Sequence, residues 1–101
     1  MTERVVVITT HWSERVLERL GREVAAAALA KTIAAAIHTS GPGVQYLGRV
    51  SRSGKRIYRF AFPGGLNGTA MVVMDERHIR FITVFDSGWR IPRQGKRSVR
   101  A

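Results

Sequence analysis

The chain has 101 residues, a formal net charge of +10 and no cysteine. This length suits one domain, and the lack of cysteine excludes a disulfide framework, a thiolate metal site and a thiol nucleophile. The longest apolar stretch, residues 24–37, contains Lys31 and Thr32 and is shorter than the ~20 residues of a membrane span. The N-terminal apolar run is too short for a signal peptide. We therefore expect a soluble, cytoplasmic protein with no membrane contact.

The N-terminal part of the chain is predicted to form a strand followed by helical structure. Residues 5–9 are β-branched throughout, which favours a strand. Ser13 is predicted to cap the helix that follows. Gly21 interrupts the helical pattern, and the Ala-rich residues 22–37 resume it, so we expect two helices or one helix bent at Gly21. A Gly-Pro-Gly sequence at residues 41–43 ends the helical part.

The apolar period then changes to two, which predicts a four-stranded antiparallel meander. The strands are predicted over residues 44–50, 56–62, 70–74 and 79–85. Tyr58 is predicted to join the aromatic core side of its strand. Thr83 is predicted to interrupt the apolar side of the last strand, which also carries Ile79 and Phe81.

Together these elements predict an α+β domain over residues 1–89, with the helices packed on one face of the sheet. Residues 90–101 contain five Lys/Arg, no acid and few large apolar side chains. Such a segment cannot bury enough surface to offset its ordering entropy, so we predict a flexible basic tail. Arg93, Lys96 and Arg97 in this tail are predicted to contact nucleic acid.

Positive charge is concentrated in the strand-rich part of the chain. Residues 1–40 hold five Lys/Arg against four acids, whereas residues 41–101 hold twelve against three. This distribution indicates a sheet that faces a polyanion, and nucleic acid is the first candidate. A basic surface that serves solubility is the alternative.

One candidate cluster follows the start of the first helix, at spacings of four, four and three residues: His11, Arg15, Arg19 and Arg22. On a continuous helix they would share one side, where His11 could exchange protons near neutral pH. The alternative is a solvated face paired with acids of the same helix, such as Glu18 with Arg22. We prefer this alternative for Arg19 and Arg22, and both interpretations stay open for His11 and Arg15.

A second basic cluster follows the first predicted hairpin: Arg49, Arg52, Lys55, Arg56 and Arg59. Cations on a hairpin can bind RNA phosphates, and a neighbouring aromatic ring can stack on an unpaired base. Fixed cations can also stabilise the charge that builds on phosphoryl oxygens when a ribose 2′-hydroxyl attacks phosphorus. The alternative is that these cations only prevent an edge strand from pairing.

Other chemistries have little support in the sequence. Thr83 could bond a phosphate oxygen or simply satisfy its hydroxyl within the sheet. There is no paired metal-ligand spacing and no glycine loop that would cradle a nucleotide, so no metal and no cofactor are predicted.

The order of the elements and two short motifs resemble a known group of proteins. A strand is followed by His11-x3-Arg15-x3-Arg19, and the meander ends in the tripeptide Ile-Thr-Val at residues 82–84. This layout, over residues 5–86, resembles the small bacterial toxin-like proteins allied to the BrnT and RelE families, within the barnase–EndoU–colicin–RelE ribonuclease fold. The resemblance implies a metal-independent endoribonuclease, an acidic antitoxin protein as its partner, and a phosphate contact at Thr83.

We therefore predict an RNA-directed, toxin-like protein that cleaves RNA by acid–base transesterification. His11 would be the acid or base, Arg15, Lys55 and Arg59 would bind and stabilise the phosphoryl group, and Thr83 would support them. Arg49, Arg52 and Arg56 would contact the nucleic acid.

Two alternatives stay open. The chain could be a non-catalytic module of phage or mobile-element origin that binds nucleic acid or a host protein. It could also be a self-associating protein that packs through its Ala-rich helix. The sequence does not determine the oligomeric state.

Overall fold

The computed structural model describes residues 4–50 and 54–89. In chain order the elements are β1 (Val5–Ile8), α1 (Thr10–Leu20), α2 (Ala26–Thr39), β2 (Val44–Val50), β3 (Lys55–Phe62), β4 (Leu66–Met74) and β5 (His78–Phe85). The predicted α+β fold is confirmed. Arg52 and the predicted basic tail at residues 90–101, with Arg93, Lys96 and Arg97, lie outside the described residues.

The five strands form one mixed sheet in the order β1-β5-β4-β3-β2. From β2 to β5 each strand pairs antiparallel with the next, as the alternating pattern predicted. β1 pairs in parallel with β5, the last strand of the meander. Parallel pairing requires a crossover connection between the strands, and here the two helices and the first three strands of the meander supply it. Neither α1 nor α2, the helices of the described residues, has the length and apolar character to cross a membrane.

The first helix begins earlier than predicted, because Thr9 rather than Ser13 caps it. The Thr9 hydroxyl accepts a hydrogen bond from the Trp12 backbone N–H at 3.0 Å. Ser13 lies one turn inside the helix. Gly21 ends α1 with a φ of 99°, a conformation that L residues rarely adopt, so the structure has two separate helices rather than one bent helix.

Both helices pack on one face of the sheet and form the core with it. Trp12 of α1 is fully buried against Phe81 of β5, with ring centroids 4.9 Å apart. The Trp12 indole N–H donates to the Ala26 carbonyl at 3.1 Å, which ties α1 to the start of α2. Ile33 of α2 and Phe60 of β3 are also completely buried in this core. We call this side of the sheet the helix-covered face.

A β-bulge in β5 changes which residues face the core. Phe81 pairs with Val72 and Thr83 pairs with Met71, so Ile82 is an extra residue between them. The bulge moves Val84, not Thr83, into the core beside Phe81. The prediction that Thr83 shares a side with Ile79 and Phe81 was therefore wrong, because the alternation of β5 does not continue through the bulge.

Candidate nucleic-acid interface

The strands of this sheet carry cations but no acid. Their five Lys/Arg residues are Arg49, Lys55, Arg56, Arg59 and Arg80. The acids of the described residues lie in α1, in the loops between elements and in the turn after β5. The sheet itself is therefore a positively charged surface, and the two faces divide its cations between them.

We call the face opposite the helices the distal face. The strand registers arrange it in rows, with Arg59, Thr69 and Phe85 in one row and Ile57, Met71 and Thr83 in the next. Strand alternation adds Lys55 and Arg80 to the same face. The distal face therefore brings together three of the predicted site residues: Lys55, Arg59 and Thr83.

Thr83 lies in the floor of the distal face rather than at its surface. Its side chain is 7% exposed, and neighbouring Thr69 is 2% exposed. A phosphate oxygen could reach the Thr83 hydroxyl only if a covering side chain moved. The geometry thus favours a structural role for Thr83 over the direct phosphate contact that the resemblance implies.

Arg59 borders a small cleft where the β3–β4 hairpin meets the turn after β5. The cleft has a volume of about 180 Å³, and its polar lining comes from Arg59, Asn67 and Ser87. Gly68 allows the two parts to approach closely, because a Cβ atom there would lie 2.5 Å from the Phe85 carbonyl oxygen. A guanidinium, an amide and a hydroxyl around one cleft are donors suited to a phosphate group.

An aromatic stack lies at the end of β5. The rings of Phe85 and Trp89 are parallel, with centroids 4.2 Å apart. The turn between them is fixed by Asp86, whose backbone carbonyl accepts from Trp89 N–H and whose carboxylate accepts from Gly88 N–H. This stack was not predicted from the sequence, although an Asp-Ser-Gly turn between two aromatic residues is a signal for it.

Arg19 of α1 contacts the Phe85–Trp89 stack from the helix side. Its guanidinium lies 4.7 Å from the Phe85 ring centroid and donates to the Val84 carbonyl at 2.9 Å. The interpretation of Arg19 as part of a solvated, acid-paired face was therefore wrong, because the side chain reaches across to β5. β1 pairs with β5 only as far as Phe81, so the Val84 carbonyl lies beyond β1 and Arg19 occupies the place of a strand partner.

His11 and Arg15 lie on α1, not on the distal face. Together with Arg19 they are spaced four residues apart, so all three lie on the side of α1 that borders β5. Arg15 pairs with Glu18 at 2.8 Å, whereas the predicted partner of Glu18 was Arg22, which lies beyond the end of α1.

The structure therefore separates His11 from Arg59. β3 is about 10 Å from β5 across the sheet, and α1 packs against β5 on the face opposite Arg59. His11 is exposed but too far away to act on the phosphate that Arg59 would hold.

Arg49 and Arg56 lie away from Arg59, on the helix-covered side of the sheet. They are cross-strand neighbours on β2 and β3, and Arg56 lies on the same face of β3 as Tyr58, two residues away. Tyr58 is 8% exposed and packs against Tyr46 at a centroid distance of 5.3 Å, which confirms its predicted place in the core. Two arginines directly opposite each other repel, so a bound anion would relieve this repulsion.

No model of a known protein family, no curated protein and no solved structure matches this chain. The resemblance to the BrnT and RelE families therefore stays a hypothesis that rests on the order of elements and on two short motifs.

Proposed function

We propose that this protein binds single-stranded RNA on the distal face of its sheet. The observation that carries the proposal is an acid-free face with Lys55, Arg59 and Arg80 beside the Phe85–Trp89 stack. Cations supply sequence-independent contacts to phosphates, and an aromatic platform supplies stacking for unpaired bases.

The arrangement favours a single strand over a duplex. In double-stranded RNA the bases are stacked within the helix, so an aromatic ring on a flat sheet cannot reach their faces. Arg59 and Phe85 share one row of the sheet two strands apart, about 10 Å between backbones. A single RNA strand that crosses the sheet could place a phosphate in the Arg59 cleft and an unpaired base against Trp89.

Binding of labelled RNA to charge and stacking variants tests this proposal. Arg59→Gln should weaken binding and reduce the salt dependence by roughly one phosphate contact, whereas Arg77→Gln, in the exposed turn before β5, should behave like the unaltered protein apart from a small general charge effect. Trp89→Ala should weaken single-strand binding by about 1–3 kcal/mol, and Trp89→Phe should retain most of it. Equal loss for Arg59→Gln and Arg77→Gln, or tighter binding of duplex than of single strand, would contradict the proposal.

Cleavage of the bound RNA is a second candidate function. One observation favours it: the exposed His11 lies on the same side of α1 as Arg19, which reaches the Phe85 ring. His11 is about 12 Å from Arg19 along the helix, so it would act on a nucleotide beyond the aromatic stack rather than at the Arg59 cleft. Arg15 would then be the nearest cation to the reacting phosphate, once released from Glu18.

Incubation of RNA with the purified protein in EDTA tests this second function. We expect strand scission that His11→Ala abolishes while circular dichroism and RNA binding stay unchanged. Binding without scission would leave the protein a non-catalytic RNA-binding module, and scission by His11→Ala would remove His11 from the reaction.

A further inference from the structure

The edge of the sheet at β1 carries a second surface, distinct from the distal face. Val5 N–H donates to the Arg77 carbonyl at 2.7 Å, so the backbone groups of Val5 point towards β5. Because backbone groups alternate along a strand, the N–H and C=O of Val6 point the other way, to the outer edge of the sheet. Within the described residues no strand pairs with that edge. Val5 is 60% exposed, so the edge is also apolar.

A cavity of about 420 Å³ lies beside this edge, between β1 and α2. Its floor is apolar and includes Val6, Ala34, Ile37 and Ile79. A cavity of this size accepts one or two apolar side chains of a partner.

The rim of the same cavity is cationic. Arg4 comes from the chain before β1, and Lys31 and His38 come from α2, seven residues apart and so on one side of the helix. Arg4 is held in place because its Nε donates to the Asp75 carbonyl at 2.6 Å. No acid is among the described residues that line this cavity.

We propose that this edge binds an acidic segment of a partner protein, which pairs as an added strand with β1. The partner's apolar side chains fill the cavity, and its carboxylates meet Arg4, Lys31 and His38. Addition of a strand to a free sheet edge combines main-chain hydrogen bonds with pockets for alternate side chains, and β1 with its cavity offers both.

Charge and polarity exclude the other occupants. A second copy of this chain would bring the cationic rim against its own equivalent, in a protein of net charge +10. RNA cannot add a β-strand to the peptide edge, and it has no apolar side chains to fill the floor of the cavity. An acidic, amphipathic polypeptide satisfies the backbone edge, the floor and the rim together.

Synthetic peptides of alternating glutamate and valine test the proposal. We expect the unmodified peptide to bind the full chain and to shift the amide NMR signals of Val6 and Ile8, the two β1 residues whose N–H groups point to the outer edge. The corresponding lysine–valine peptide should not bind, because its ammonium groups would meet the rim. A glutamate–valine peptide that is N-methylated at every residue should also fail, because neither of its edges can donate hydrogen bonds to β1.

Matched variants separate the cavity from general charge. Lys31→Glu should weaken the peptide about tenfold or more, whereas Arg22→Glu makes the same charge change away from the cavity and should have a small effect. Ala35→Phe, from the exposed wall of the cavity, should block binding, whereas Ala27→Phe on exposed α2 surface should not.

Several outcomes would overturn the proposal. They are no binding of any glutamate–valine peptide, equal losses for Lys31→Glu and Arg22→Glu, equal binding of the N-methylated peptide, or displacement of the peptide by single-stranded RNA. RNA binding by the distal face is measured separately, so failure here leaves that proposal intact.

Discussion

Arg19 joins a helix to the free edge of a strand. Beyond Phe81, no strand in the part of the chain that the structure describes pairs with β5 on the β1 side, and a strand carbonyl there would be left to solvent. The Arg19 guanidinium fills that place by donating to the Val84 carbonyl and by lying over the Phe85 ring. A charged donor to a backbone carbonyl and a cation–π contact each stabilise the fold, so this arginine has a structural task.

Replacement of Arg19 by methionine should lower the free energy of unfolding by about 2 kcal/mol, since both contacts are lost while the aliphatic stem stays. Urea denaturation measures this value. Arg15→Met removes a partly exposed pair with Glu18 and should cost less than about 1 kcal/mol. Equal losses for the two variants would show that the Val84 contact contributes nothing beyond a surface ion pair.

Asp75 organises the turn between β4 and β5 through its carboxylate. Backbone N–H groups of His78 and Arg77 donate to Oδ1 at 2.6 and 2.8 Å, and the His78 ring lies 3.3 Å away. The His78 N–H, then the Arg77 N–H, lower the pKa of Asp75 below its ordinary value of 3.8. The ionised form is thus favoured in the folded protein.

We expect a measurable effect of this carboxylate at low pH. Because its pKa is lower in the folded than in the unfolded protein, its stabilising contribution is present above pH 3.8 and is lost as the pH falls through the folded-state pKa. Unfolding free energies of the unaltered protein and of Asp75→Asn should therefore differ most near neutral pH and converge in acid. A difference that stays constant with pH would show that ionisation of Asp75 is not involved.

At the scale of elements, Thr9 connects the start of α1 to β5. Its hydroxyl accepts from Trp12 N–H and donates to the Phe81 carbonyl at 2.9 Å, so one group caps the helix and satisfies the strand edge. Ser13 was the predicted cap, and local preference ranks serine above threonine at this position. The choice of Thr9 depends on the position of β5, which the local sequence does not contain.

Substitutions at the two hydroxyl residues should therefore differ. Thr9→Val keeps the shape of the side chain but removes the cap and should lower stability by about 1–2 kcal/mol. Ser13→Ala places a better helix former on an exposed position and should leave stability unchanged or slightly raised. Thermal or urea unfolding compares them, and a larger loss for Ser13→Ala would contradict the capping assignment.

β-Bulges in two strands explain why strand alternation did not predict the position of every side chain. Strand alternation predicted Tyr58 in the core and Arg59 on the other face, and β3 follows it without interruption. β5 has a bulge at Ile82 and β2 has one between Tyr46 and Gly48, and each reverses the alternation beyond it. A bulge depends on how two strands fit together, so it leaves no clear mark in a single strand.

At the scale of the whole molecule, the sheet separates two surfaces of different chemistry. The distal face combines Arg59 with an aromatic stack, and the β1 edge combines an apolar cavity with a cationic rim. Both are positive, but only one has rings for bases and only the other has a free strand edge. The net charge of +10 accelerates the approach of any polyanion, whichever surface it reaches.

Salt dependence should distinguish general attraction from the distal site. The logarithm of the RNA affinity should fall linearly with the logarithm of salt concentration, with a slope of about −0.7 for each phosphate contacted. A variant truncated after residue 89 should bind RNA with a shallower salt dependence, and Trp89→Ala should still weaken its binding. An unchanged slope after truncation would show that residues 90–101 make no phosphate contacts.

Local preferences and periodicity within one element were enough to predict the class of fold, an interruption at Gly21, the antiparallel meander and the core position of Tyr58. The sequence also placed the charge in the strand-rich part. Local preferences and periodicity could not predict that β1 joins β5 in parallel, that Thr83 leaves the core side, that Arg19 reaches Phe85, or that His11 is separated from Arg59. Each of these depends on which strands become neighbours and in what register, and contacts between distant parts of a chain are set by the packing of the whole sheet and its helices.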